Sequence, residues 1–291
     1  MEALKTLLPI ILTGSLAGLV LTVALNSTSG DLLYVLRRPG LLGRSILAVI
    51  IIPLIVAGLV VWLLPLDPVV KAGIMLMAVA PVPPLVPGKE LGVGARKEFA
   101  YGLYAAMALL TVISVPIAFN LASQLFGRDD TVTVGKIAMT VLTGVLIPLA
   151  LGLLVRRFAP ALAVKVAPWL YKLSLLLVVL AFLPILIKVW PAFQSLIGDG
   201  TLVAMAVVIS LCMAGGHLLG GPDRVDRATL AVASSVRHPG IAAALAGANF
   251  EDRRVVAAIL LFLLVGLVLG IPYKMWIKRT TKPEPAAAAT V

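Results

Sequence analysis

Residues 80–90 read Ala80-Pro81-Val82-Pro83-Pro84-Leu85-Val86-Pro87-Gly88-Lys89-Glu90, and they close an apolar run that begins at Pro68. Four prolines within seven residues cannot continue an α-helix, because each lacks an N–H and its ring crowds the preceding turn. A second interruption reads Ala233-Ser234-Ser235-Val236-Arg237-His238-Pro239-Gly240-Ile241. There Pro239 and Gly240 break another apolar run near its middle, beside two ionisable side chains. Unwound backbone at membrane depth is tolerated only where protein or a water-filled cavity surrounds it. Composition decides whether these runs lie in a bilayer.

Of 291 residues, 61% are apolar and only 13% charged, about half the roughly 25% charge of a soluble domain. Mean hydropathy is +1.10. Such a chain is neither a cytosolic enzyme, nor a disordered chain, nor a disulfide scaffold. The net charge of +11 is a poor nucleic-acid signal, since basic residues need a water-exposed face to reach phosphates. In a membrane protein the excess Lys and Arg belong to cytoplasmic loops beside anionic lipid. The single cysteine, Cys212, can form neither an internal disulfide nor a cysteine metal cluster.

A helix crossing the hydrocarbon core needs about 20 apolar residues. That ruler predicts nine spans, at 5–25, 45–65, 68–88, 99–125, 133–155, 167–189, 200–220, 228–250 and 254–277, in one transport domain over 1–280. Runs such as Ile46-Leu47-Ala48-Val49-Ile50-Ile51-Ile52 are unbroken, which excludes the alternating pattern of a β-barrel. The first span exceeds a signal-peptide core and reads as a retained helix. Residues 281–291 have no packing pattern and read as a disordered tail.

Loop charge sets the orientation. Arg37, Arg38 and Arg44 lie in the first connection, Lys89, Arg96 and Lys97 in the third, and Arg156, Arg157 and Lys165 in the fifth. Arg224 and Arg227 follow in the seventh, and Lys274, Lys278, Arg279 and Lys282 toward the end. Even connections are poorer, with Lys71 in the second, Arg128 and Lys136 in the fourth and Lys188 in the sixth; Arg253 and Arg254 in the eighth sit beside Glu251 and Asp252. The reading is a multi-pass protein of the cell membrane, N-terminus outside and C-terminus cytoplasmic.

The two breaks occupy matching places, each in the second-last span of its half and each followed by one continuous apolar segment. Spans one to four match spans six to nine, and the odd fifth span inverts the second copy. Paired broken helices in an inverted repeat are the plan of secondary transporters, with the binding site at the breaks near the midplane.

At these residues the chain resembles the bile acid–sodium symporter (BASS, or SBF-like) superfamily. The likeness rests on Pro83 to Gly88, then Arg96-Lys97-Glu98, then the small-residue run Ala100 to Ala106. It continues at Pro239-Gly240-Ile241-Ala242-Ala243, at Arg38-Pro39-Gly40 and at Pro53. The resemblance implies an all-α fold of panel and core domains with two crossing helices, alternating access, and transport of an organic anion, often a carboxylate. It also implies sodium sites, and there the chain departs. Positions that hold oxygen ligands in the family are occupied here by Gly88, Lys89, Gly102, Ala106, Ala233 and Arg237. Sodium needs oxygen ligands, so sodium coupling is not expected, and neither a metal nor a cofactor is.

Arg237 stands well inside its span, where a charge costs about 2.5–3.5 kcal/mol and defaults to a functional role. With Lys89 it is expected to replace sodium by a fixed cation and bind the substrate's negative charge, helped by Gly88, Ser234, Ser235 and His238. Positive dipole ends of half-helices at the breaks formed by Pro83, Pro84, Pro87, Pro239 and Gly240 are expected to add to this. Each residue also has a plainer reading. Lys89 fits a solvated loop end, the serines fit bonds to their own helix, and His238 fits a packing role. Exchange, uniport, and proton symport through Glu90 or His238 stay open. Nothing reads as an enzyme, since there is no HExxH, GxSxG or P-loop, and Gly92-Val93-Gly94 lacks the third glycine of a dinucleotide loop. The partners expected are a small organic anion and membrane lipid, with no nucleic acid; the sequence carries no reading of oligomeric state. The rival functions are a sodium-coupled symporter and a non-transporting membrane sensor.

Overall fold

The computed structural model describes residues 2–125 and 134–280, and all regular elements in them are helical. The predicted tail at 281–291, the start of the fifth span at 133 and Arg128 of the fourth connection lie outside the described residues.

Helix α1 (Glu2–Asn26) meets α2 (Ser29–Leu36) at 97°. Then α3 (Pro39–Ile46), a π turn (Leu47–Ile51) and α4 (Ile52–Leu63) form one rod. The first broken element is α5 (Pro68–Val79) followed by α6 (Val86–Leu91). After α7 (Lys97–Leu125) come α8 (Val134–Val141), a second π turn (Leu142–Leu146) and α9 (Ile147–Phe158). Next are α10 (Pro160–Leu196) and α11 (Thr201–Leu219). The second broken element is α12 (Arg224–Ser235) followed by α13 (Pro239–Asn249), and α14 (Arg254–Thr280) ends the described chain.

Local chemistry explains the starts. Asp67 and Asp223 cap α5 and α12, each carboxylate accepting from the backbone N–H two residues on at 2.7 Å. Both π turns are followed by Ile-Pro, at Ile52-Pro53 and Ile147-Pro148. A proline leaves the carbonyl four residues back without its donor, so widening the turn before it is a natural accommodation.

Five helices among the described residues are long and apolar enough to cross a membrane: Pro39–Leu63, Lys97–Gln124, Pro160–Leu196, Thr201–Leu219 and Arg254–Thr280. The α1–α2 pair is a sixth if counted as one bent span, and α5 is a shorter apolar helix. The exterior is correspondingly greasy, with Trp62 79% and Leu218 80% exposed. This is the build of a multi-pass helical membrane protein.

Boundaries shift where the sequence carried more than one signal. The element expected at 167–189 is α10, whose 37 residues reach about 55 Å at 1.5 Å each, well past a ~30 Å hydrocarbon core. Its internal Pro168, Pro184 and Pro191 do not stop it. Helix α2 was not anticipated within the first connection. A capping box makes it: Asp31 N–H donates to Thr28 Oγ1 (3.2 Å) and Thr28 N–H to Asp31 Oδ2 (2.7 Å). The rod of α3 and α4 begins at Pro39 rather than 45, because proline at the first helical position costs no hydrogen bond.

Helix α1 packs between α9 and α10, while α5 packs on α4, α13 and α14, α11 on α12, and α2 on α7. Helices approach closely where side chains are small, as at Gly73 against Ala258. Polar contacts sort the connections. Arg96 pairs with Asp226, which holds the Arg96 guanidinium more firmly protonated, and Arg224 Nη1 donates to the Thr280 carbonyl at 3.3 Å. Arg44 lies against Gly221. The first, third and seventh connections therefore share a face with the end of α14. On the opposite side Arg254 Nη1 lies 4.0 Å from Asp67 Oδ2, joining the second and eighth. There Arg254 also clasps Asp252 through Nε and Nη2 (2.9 and 2.7 Å), which holds that carboxyl below its usual range.

Candidate functional site

Helix α5 ends at Val79 because residues 81, 83 and 84 are prolines, and α12 ends at Ser235 ahead of Pro239. Each end leaves carbonyls that no helical N–H can reach. The two breaks meet, and each supplies what the other lacks. His238 N–H donates to the Ala80 carbonyl at 3.1 Å, a bond that runs directly between them.

Arg237 completes the junction. It is 2% exposed, and its guanidinium faces four backbone carbonyls from three stretches of chain. Nε donates to Met77 O (3.1 Å), Nη2 to Ala78 O (2.6 Å), and Nη1 to Val49 O (2.8 Å) and Ser234 O (3.4 Å). Met77 and Ala78 are among the last carbonyls of α5. Val49 lies in the first π turn, four residues before Pro53, and so lacks its helical donor. Four of the five guanidinium N–H groups are thus committed, and among the described residues Arg237 forms no ion pair.

His238 is spoken for as well. Its Nδ1 accepts from Ile241 N–H at 3.2 Å, capping α13 while Pro239 fills the first helical position. Ser234 Oγ lies 2.7 Å from Cys212 O and 3.0 Å from Ala231 O, its one proton shared between the two carbonyls, and this fastens α12 to α11. Ser235 Oγ donates to Val232 O at 3.2 Å. The plain readings of these serines, as bonds to backbone, therefore have a geometric basis, although Ser235 also borders open space.

That space is a narrow crevice beside the crossing with a volume of about 10 Å³, room for little more than one water. Lys89, Ser235 and Arg237 line one side, and Phe262, Leu263 and Gly266 of α14 line the other. Lys89 is half-buried and Gly88 exposed. Lys89 and Arg237, far apart in sequence, are thus brought to one cavity, while Ser234 and His238 are turned to other work. The expected dipole contribution is weak at the first break, where α6 has six residues.

Glu90, next to Lys89, has no exposed surface, and both carboxyl oxygens are without a hydrogen-bond partner among the described residues. A carboxylate held there has neither water nor donor, so burial favours the neutral acid. The remaining positions where the resemblance led one to look for sodium ligands are packed against neighbours. A side chain on Gly102 would run into the Asp31 carbonyl of α2, and Ala106 and Ala233 are fully buried.

Two features escaped sequence reading. Lys274 of α14 stands against α6: a Cβ added to Gly92 would lie 3.1 Å from its Nζ, and its charge bears on Lys89. A separate apolar cavity of about 190 Å³ lies between α5, α7 and the end of α13, with Met75, Val79, Phe119 and Phe250 among its lining. Neither has a local sequence signal, since both depend on which helices become neighbours.

Two broken helices bonded break to break inside an apolar helical shell define a class, the polytopic helical membrane proteins. The comparison with known families sharpens this: the model of the sodium bile acid symporter family matches residues 9–195, more than half of the chain. The chain belongs to that family, whose members are membrane transporters of organic anions. The matched stretch includes the first break and ends before the second. Among individual curated proteins, none matches.

Proposed function

We propose that this protein is a sodium-independent secondary carrier of a small, carboxylate-bearing organic anion. It works by alternating access in the cell membrane, with nine spans in an inverted repeat of panel and core, N-terminus outside and C-terminus cytoplasmic. The single transport domain covers 1–280. The observation that carries the sodium independence is the Arg237 guanidinium among four carbonyls at the crossing. Converging carbonyl oxygens call for a cation, and here the cation is part of the chain. It cannot leave with the substrate, so it cannot couple transport to an ion gradient. With Arg237 holding the breaks together, contact with the anion falls mainly to Lys89, with Ser235 and the backbone at Gly88 beside it. Ser234 and His238 support the site from behind.

His238 is a poor proton carrier in this arrangement, because charging Nδ1 removes the cap on α13. Glu90 is the better candidate where coupling is to protons: buried and neutral it leaves Lys89 free, while ionised it competes with the substrate for that lysine.

The test is uptake of labelled pyruvate and butyrate by the purified protein in liposomes, with sodium or potassium outside. Uptake that is equal in the two salts is expected. Uptake only in sodium supports the sodium-coupled reading instead. Binding of either anion without uptake, seen as a thermal shift that follows ligand concentration, supports a sensor.

A further inference from the structure

The apolar cavity between α5, α7 and the end of α13 is drawn out along α5. Pro68, Ala72, Met75 and Val79 line it, a single helical stripe about 16 Å long at 1.5 Å per residue. Phe119 faces them from α7 and Phe250 from the end of α13. Exposure is graded along the stripe: Pro68 is exposed, Ala72 half-buried, and Met75 and Val79 buried. The cavity is thus a slot that opens on the face where Arg254 meets Asp67. It closes at the last turn of α5, next to the Ala80 carbonyl that takes the His238 N–H.

Its volume is about 190 Å³, more than the ~150 Å³ of an apolar cavity that stays dry and binds benzene. Ser123 is the one polar side chain among the described residues that line it, so water finds too few partners there. An empty void destabilises in proportion to its volume. The slot therefore calls for an apolar occupant, and its length favours a chain over a compact ring. Beside the lining residue Ala122, Leu121 is 55% exposed and faces lipid. Lys71, half-buried on the flank of the stripe near its mouth, has no ion-pair partner among the described residues. Asp67 is engaged with the Val69 N–H and Arg254.

We infer that this slot holds one acyl chain of a bilayer phospholipid, with the chain end against Val79 and Phe119 and the phosphate at Lys71. The inference is independent of the carrier reading. The chain wedges between α5 and α7 up to the first break, so bound lipid braces the crossing.

The experiment places the purified full chain in phosphatidylcholine vesicles containing phosphatidylglycerol, part of it with a photoactivatable diazirine near the end of one acyl chain. After illumination, labelled residues are located by mass spectrometry. Label is expected on the buried Met75, Val79 or Phe119 as well as on the lipid-facing Ile117 and Leu121. Ala122→Phe fills the slot from α7, and should abolish the buried label while sparing Ile117 and Leu121. Ala72→Leu, at the half-buried mouth, is a milder block with the same expected result and guards against misfolding of the first. Lys71→Gln should lower the buried label about fivefold, as for one basic residue at a lipid surface. Label confined to Ile117 and Leu121 in the native protein overturns the inference, as does buried label that persists in both blocked variants. Buried label indifferent to Lys71→Gln overturns the phospholipid assignment. A thermal shift with toluene in the absence of buried acyl label gives the cavity to a small ring instead.

Discussion

Arg237 supplies the hydrogen bond that Pro53 cannot: its Nη1 lies 2.8 Å from the carbonyl of Val49, four residues before that proline. The same guanidinium serves Met77 and Ala78 at the end of α5. One side chain thus ties the first rod and both broken elements into a single junction. A buried arginine satisfied by backbone carbonyls avoids the cost of an unpaired polar group, and removing it takes the donor from Val49 and Ala78, while the Met77 carbonyl keeps the Ala80 N–H at 3.2 Å.

The first prediction follows from that pairing. Arg237→Gln keeps at most part of the junction, and each orphaned carbonyl costs about 1–3 kcal/mol. A marked drop in melting temperature is expected, measured in detergent without ligand. Pro53→Ala offers Val49 an N–H of its own, so Arg237→Gln should cost about 1 kcal/mol less in that background than in the native one. Strict additivity of the two changes removes Val49 from the account.

The prolines made both breaks legible from sequence, because their effect is local: a missing N–H acts within one turn. Pro53 was legible in the same way. The role of Arg237 was not, since its acceptors at residues 49, 77 and 78 are distant in sequence and are assembled only by the fold. Its depth in an apolar run marked it as a residue with a task, and Lys89 lines the same crevice. Lys274 was hidden among the basic residues that mark a cytoplasmic helix end, where nothing local separates a lysine packed beside a neighbouring helix from a topology signal. The Thr28–Asp31 capping box was readable but was masked by the three arginines that follow it.

A second prediction concerns the cap on α13. His238→Asn keeps a side-chain acceptor for Ile241 N–H, whereas His238→Ala removes it, at a cost of about 1 kcal/mol. Thermal denaturation should rank native and Asn together above Ala. Loss of substrate uptake in the Asn variant with stability intact would assign His238 a direct part in transport.

The α11–α12 seam gives a third. Gly216 lies against the Leu230 carbonyl and Ala231, and Ser234 bonds across to Cys212. Ser234→Ala removes one bond and should cost about 1 kcal/mol. Gly216→Leu drives a branched side chain into backbone and should cost more than overpacking's usual 1–3 kcal/mol, read as loss of folded protein on size exclusion. Reduced anion affinity in Ser234→Ala at unchanged stability would return that hydroxyl to the binding site.

The last prediction separates the neighbours Lys89 and Glu90. Lys89 has no ion-pair partner among the described residues, so Lys89→Gln removes a charge the fold does not use. Melting temperature should hold, while carboxylate affinity falls some ten- to hundredfold, the worth of one charge-assisted hydrogen bond of roughly 1.5–3 kcal/mol. Glu90→Gln behaves in the opposite way. The amide replaces a neutral acid of equal shape, so anion affinity near neutral pH should be preserved. The difference emerges as pH rises. In the native protein a buried acid must stay protonated or move, and the unfolded chain ionises first; the folded state therefore binds more protons and loses stability with increasing pH. Glu90→Gln has no such proton to hold, so its melting temperature should decline less steeply over the same range. Carboxylate affinity should likewise fall with pH in the native protein and stay flatter in the variant, because only the ionised Glu90 competes for Lys89. Parallel pH profiles for both proteins, in stability and in affinity, would show that Glu90 neither titrates nor gates the lysine, and coupling would then have to be sought in exchange of one anion for another.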